Sequence, residues 1–169
     1  LEEAPEAKEA PSNSISITDA PYSAVPNDGQ DDSKAFLDAL KDADKENKTL
    51  YIPEGTFDFD QKLVISATDM RITGAGIWHT QLHFTSEEQA GGGIEFLDSS
   101  SNVEMDNLYM NSELKSRFHQ EANYKGIAGV LGENSKLHDL WLEHFECGIW
   151  VGDYVEADKM KYTDKLTVS

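Results

Sequence analysis

Fourteen basic residues against thirty-two acidic ones leave this 169-residue chain with a net charge of −18. That balance excludes nucleic acid and anionic lipid as partners, because both are held by clustered Lys and Arg. The length suits one domain with a real core, and no apolar run nears the roughly 20 residues that span a bilayer, so no membrane segment is expected.

The same acidity disfavours a polyanionic polymer unless a cation bridges the charges, and leaves a neutral polymer as the easier ligand. Cys147 is alone. A disulfide framework and a thiolate zinc site are thereby excluded, and a small packed residue is expected.

Residues 1–14, LEEAPEAKEAPSNS, combine Glu, Ala and Pro without an aromatic residue. Such a composition buries little apolar surface, which predicts an acidic linker and further chain upstream. The domain proper is expected over residues 15–169. ISITDAPYSAV (15–25) predicts a short strand and a loop. One helix follows, capped by Asp31 or Asp32, with Ala35, Phe36, Ala39, Leu40 and Ala43 on one face, ending near Asn47. LYIPEGTF (50–57) predicts a strand running into a tight turn.

Beyond Phe57 the helical period vanishes. Short β-type runs recur, among them LVIS (63–66), MRITGAG (70–76), TQLHFT (80–85), NVEMDNLYM (102–110), GIAGVL (126–131), KLHDLWLEHF (136–145), GIWVGD (148–153) and KLTVS (165–169). SNVEMDNLYMNS from Ser101 and SKLHDLWLEHFE from Ser135 resemble copies offset by 34 residues, and the step to KLTVS is about 29. Repeats of roughly 20 to 35 residues built from short strands predict a β-solenoid. The absence of Asn-Gly hairpin turns counts against a sandwich. KLTVS would end the chain on an exposed strand edge.

NDGQDDSKAFLDALKDADKENKTLYIPEGTF (27–57) resembles the opening segment of pectate-lyase-like right-handed parallel β-helices, where an acidic turn, a capping helix and a strand ending in Pro-x-Gly-Thr-Phe close the first coil. The resemblance implies an all-β fold: a right-handed parallel β-helix with an N-terminal capping helix, here the first coils of a longer one. Fold alone leaves lyases, hydrolases and tail depolymerases open.

The chemistry-bearing residues cluster in HDLWLEHFECGIWVGDY (138–154). Trp141 and Trp150 among carboxylates suit a sugar subsite, in which an apolar ring face stacks on indole while carboxylates bind hydroxyls. Packing between coils is the structural alternative. Asp139, Glu143, Glu146 and Asp153 are candidate general acids or bases, and the distance that would choose among them is not in the sequence. His79 with His83, and His138 with His144, lack a third ligand at metal spacing, so no metal site is assigned. A structural calcium ion in an acidic loop stays open. GAGIWH (74–79) lacks the third glycine and the following helix of a dinucleotide loop.

GAGIWHTQLHFTS, GGGIEF, SSNVEMDNLYMNSELKSRFHQ and GENSKLHDLWLEHFECGIWVGDY together resemble glycoside hydrolase family 87, the bacterial α-1,3-glucanases and mycodextranases, over residues 27–169. That resemblance implies a secreted, inverting endo-hydrolase of α-1,3-glucan without an organic cofactor. Its catalytic aspartates would lie beyond this chain, so no catalytic residue is assigned. It implies that Trp78 and the His144–Tyr154 segment line or support the substrate groove, with Trp150, Asp153 and Tyr154 foremost and Trp141 and Glu146 as second choices. The alternatives are a non-catalytic polysaccharide-binding module, and a polysaccharide lyase, which two arginines serve poorly. Oligomeric state is not legible.

Overall fold

The structure, a computed structural model, describes residues 3–116, 123–152, 163 and 165–169. After β1 (Ser14–Ser16) comes the one helix among them, α1 (Ser33–Glu46). The strands β2 (Thr49–Ile52), β3 (Gly55–Phe59), β4 (Leu63–Ile65), β5 (Thr68–Gly74), β6 (Thr80–Phe84) and β7 (Ile94–Phe96) follow. The long β8 (Ser101–Ser112) leads into β9 (Lys125–Gly129), β10 (Lys136–Leu142), β11 (Cys147–Val151) and β12 (Thr167–Val168).

The helix is where the apolar spacing predicts it. Phe36, Ala39, Leu40 and Ala43 are buried on one face. Its start differs in detail from a simple cap. Asp32 holds the cap position without a capping bond, and its Oδ1 accepts instead from the Val25 N–H at 3.2 Å. The neighbouring Asp31 Oδ1 accepts from the Ser33 N–H at 3.2 Å and the Asp60 N–H at 3.0 Å, tying the first turn to the end of β3. The helix ends at Asn47, whose left-handed backbone lets its N–H turn back to the last carbonyls.

Among the described residues all strand pairs are parallel, and they divide between two sheets. The larger runs β1-β2-β5-β8-β10-β12, with β3 and β6 joined to it through β8; the smaller runs β11-β9-β7-β4. Inward positions alternate with outward ones: Leu82 and Phe84 of β6 are fully buried while Gln81 and His83 lie half-exposed. Like stacks on like across the ladder. Phe59 pairs with Phe84 in register, their ring centroids 5.4 Å apart, and Phe36 meets Phe59 edge-on at 5.7 Å. Each such buried ring contributes about 2 kcal/mol of apolar transfer.

This pairing corrects the expectation of an all-β right-handed parallel β-helix. The strands form two distinct sheets of eight and four, and the larger is branched: β8 takes β5 along its first half and β6 along its second. The helix adds its apolar face to the strand core itself. Alternating apolar residues dictate strands with one buried face. They do not dictate how the strands divide between sheets, and that division departs from a uniform stack of coils.

The repeat offset is corrected as well. Lys136 pairs with Glu104 and Leu140 with Leu108, an offset of 32 residues in place of 34. A slip of two residues keeps every side chain on its own face, so hydrophobic pattern alone does not distinguish the two registers. Backbone shape does. Asn107 and Asp139, also 32 apart, are both left-handed, with φ of 58° and 50°, and the ladder skips this pair.

The N-terminal residues, expected as a linker, are largely exposed but carry specific contacts. The Lys8 N–H donates to the Ala75 carbonyl at 2.8 Å, and the Tyr51 hydroxyl to the Lys8 carbonyl at 2.6 Å.

Candidate functional site

Parallel register brings four outward side chains into one row across the larger sheet: Thr56, Gln81, Tyr109 and Trp141, from β3, β6, β8 and β10. The turn after β5 adds Trp78 beside this row. Trp78 and Trp141 meet edge-on with ring centroids 5.1 Å apart, and Tyr109 lies against Trp141 at 5.3 Å. Trp78 is 57% exposed and Trp141 36%. Two indoles left this open form an aromatic wall available to a ligand.

The wall bounds a cavity of about 580 Å³, lined also by Asn27, Glu54, His79, Gln81 and Glu143. Glu143 follows β10 directly, and its N–H donates to the Met110 carbonyl at 3.0 Å, which fixes its backbone. The Tyr109 hydroxyl donates to Glu143 Oε2 at 2.8 Å. Burial, reinforced by that bond, pushes the Tyr109 phenol up to about 12, so it remains a donor at neutral pH. At the other side His79 Nε2 lies 2.5 Å from the Pro5 carbonyl and Nδ1 3.4 Å from Glu54 Oε1. The Pro5 carbonyl first, and then Glu54, hold this imidazole above its ordinary range.

Of the residues the sequence singles out, Trp78 and Trp141 come together here. Trp150 stands on β11 of the smaller sheet, 47% exposed, with Lys125 Nζ 5.1 Å from its ring centroid. Glu146 turns its carboxylate to the Tyr124 N–H at 3.2 Å. The backbone of His144 is left-handed, with φ of 57°, and its carbonyl accepts from the Ser112 hydroxyl. Asp153 and Tyr154 lie outside the described residues. Cys147 is half-buried, its Sγ 3.2 Å from the Ile149 carbonyl.

The histidine pairs weighed as metal ligands separate. His83 faces Asn111 and Glu113, and His144 faces the Leu114 carbonyl. His138 enters a cluster not evident in sequence, where donor atoms of Glu104, Asp106 and His138 lie within 4.8 Å of one another. These groups already serve one another. Asp139 and Glu104 accept from the two ring nitrogens of His138 at 2.7 and 2.8 Å and hold its pKa above the ordinary value. Arg71 grips both oxygens of the fully buried Asp106 at 2.8 and 3.0 Å. Burial alone would raise the Asp106 carboxyl; Arg71 and Thr73 outweigh it and hold it below its ordinary value. This cluster reads as an internal ion network.

Sequence reasoning missed Tyr109, Gln81, Glu54 and Asn111, and placed Glu143 only among candidate acids. The signal that finds them is alternation combined with the correct register: every second residue of β6 and β8 faces the row that ends in Trp141.

Comparison with known proteins identifies the family. A family of proteins described as alpha-1,3-glucanase catalytic domain D2 matches residues 30–164. The crystal structure of the Agl-KA catalytic domain is 42% identical, superposes with a TM-score of 0.89 and covers 99% of this chain, which in turn spans 29% of that one. The catalytic unit of a thermostable GH87 alpha-1,3-glucanase from Streptomyces thermodiastaticus is 25% identical with a TM-score of 0.74, over 89% of this chain and 26% of its own. A GH87 alpha-1,3-glucanase catalytic domain in complex with tetrasaccharides shares the fold at 20% identity and a TM-score of 0.65, over 88% of this chain and 25% of its own. No curated protein matches the chain.

Proposed function

Because the chain belongs to the α-1,3-glucanase catalytic domains of glycoside hydrolase family 87, we propose that it supplies a glucan-binding wall to an enzyme that hydrolyses α-1,3-glucosidic bonds. The observation that carries this reading is the open indole pair, Trp78 and Trp141, beside the carboxylates of Glu143 and Glu54 in one cavity. A glucosyl ring presents apolar C–H faces to aromatic planes and hydroxyls at its rim to acceptors, and this cavity offers both. A neutral glucan also meets no electrostatic barrier from a chain of net charge −18.

Hydrolysis with inversion would use one carboxylic acid to protonate the leaving oxygen and one carboxylate to activate water, about 6.5–9.5 Å apart. The chain spans 29% of the Agl-KA catalytic domain, and the reading places that carboxylate pair in the remainder of the enzyme. The reaction draws on no organic cofactor. A polymeric substrate outside the cell goes with a secreted enzyme.

Two measurements test this. The chain is expected to bind α-1,3-linked gluco-oligosaccharides, with Trp78→Ala and Trp141→Ala each weakening binding about tenfold, equivalent to ~1.4 kcal/mol. Alone, it is expected to release no reducing ends from insoluble α-1,3-glucan. Unchanged binding in both variants sinks the assignment of this cavity, and reducing-end release by the chain alone moves the chemistry into these residues.

A further inference from the structure

Glu143 is held by a hydrogen-bond chain that crosses the larger sheet. The Thr56 hydroxyl donates to Gln81 Oε1 at 3.1 Å, Gln81 Nε2 to Asn111 Oδ1 at 2.9 Å, Asn111 Nδ2 to the Tyr109 oxygen at 3.1 Å, and the Tyr109 hydroxyl to Glu143 Oε2 at 2.8 Å. The carboxylate sets the direction of the whole chain. A carboxylate only accepts, so Tyr109 must donate to it. The Tyr109 oxygen must then accept from the Asn111 amide nitrogen, which turns Asn111 Oδ1 toward Gln81 and His83, whose Nδ1 lies 2.8 Å away.

Three consequences follow for a bound sugar. The Tyr109 hydroxyl is already spent on Glu143 and has no proton left for a ligand. Asn111 spends its Oδ1 on Gln81 and His83 and one Nδ2 hydrogen on Tyr109. Glu143 is the open end of the chain: Oε2 is fixed by Tyr109, and among the described residues Oε1 takes no hydrogen bond from the protein. Glu143 lines the cavity beside Trp141, which puts its carboxylate at the space where a stacked ring would sit.

We propose that Glu143 is a specificity-determining acceptor, which takes the hydrogen of one hydroxyl of a glucosyl residue stacked on Trp141, and that Tyr109 and Asn111 are its positioning residues. This inference rests on the sugar-site reading above. A fixed acceptor selects by geometry. A ring whose hydroxyl is absent, or is placed on the other face, leaves a desolvated carboxylate oxygen unpaired, which costs more than the bond itself contributes. No proton transfer is assigned to Glu143; its role is in binding.

Calorimetric titration of the chain with α-1,3-linked gluco-oligosaccharides tests this, alongside analogues carrying fluorine in place of one ring hydroxyl at a time. Glu143→Gln is expected to weaken binding of the unmodified sugar about tenfold. One analogue is expected to lose about as much on the parent chain and nothing further on Glu143→Gln, the non-additivity of a direct contact. Tyr109→Phe is expected to reproduce part of the loss and to add nothing to Glu143→Gln. If Glu143→Gln binds as the parent does while Trp141→Ala is weakened, the inference is overturned and the sugar site stands. Losses that add for every analogue also overturn it. If Trp141→Ala binds as the parent does, or the parent binds no oligosaccharide, the sugar-site reading fails and takes this one with it.

Discussion

Asp32 shows how a residue can be well placed and still carry a cost. It is buried at the start of α1, accepts from the Val25 N–H, and burial lifts its carboxyl to about 6. An unfolded Asp titrates near 3.9, so between about pH 4 and 6 the folded chain holds a proton that the unfolded chain has released. Stability from this group is therefore greatest at low pH and is lost as pH rises through about 6. Asp32→Asn keeps an acceptor for Val25 and removes the charge. The variant is expected to gain ~1–2 kcal/mol over the parent at about pH 7.5 and about half as much at about pH 5, read from urea denaturation. An equal gap at both values would mean that Asp32 titrates in the folded chain as it does in the unfolded one.

At the scale of elements, the parallel ladders bring backbone very close to backbone where a strand ends. Gly129, the last residue of β9, has φ of 102°, and a Cβ there would lie 2.0 Å from the Phe96 carbonyl oxygen. Both conditions exclude a side chain, because the left-handed region penalises any Cβ and the oxygen belongs to a backbone held by pairing. Gly129→Ala is expected to separate the ends of β7 and β9 and to destabilise the chain by ~3 kcal/mol. A thermal melt that moved by less than a degree would show that the smaller sheet yields at this point. Within the larger sheet the left-handed pair Asn107 and Asp139 plays the opposite part: it bends β8 and β10 together, so that Tyr109 and Trp141, two residues further on, still face the same row.

For the molecule as a whole, fourteen cations against thirty-two anions mean that the folded state repels itself. The ion pairs seen at the surface, such as Lys115 with Glu87 at 3.4 Å and Lys165 with Glu133 at 3.8 Å, are open to solvent and contribute little each. Arg71 with Asp106 is different, because the carboxylate it neutralises is fully buried. Salt therefore screens more repulsion than attraction. Raising ionic strength from about 0.02 M to about 0.5 M is expected to increase the melting temperature by a few degrees. A decrease would show that exposed ion pairs outweigh the net charge.

Much of the local structure is legible in the sequence. The helix over Ser33–Glu46, its turn at Asn47 and the strands of alternating pattern follow from apolar period and from residues that tolerate a left-handed backbone. These are properties of a few neighbouring residues, and the sequence carries them directly. Trp78 and Trp141 stand out in the sequence by type, though not as neighbours. What only the tertiary structure decided is everything that depends on register between distant strands. The division into two sheets, the offset of 32, and the meeting of Thr56, Gln81, Tyr109 and Trp141 in one row are all of this kind. A two-residue slip preserves the hydrophobic face and so leaves no trace in the pattern, yet it changes which polar side chains touch. The site is made of those side chains, and so it was settled by the ladder rather than by the motif.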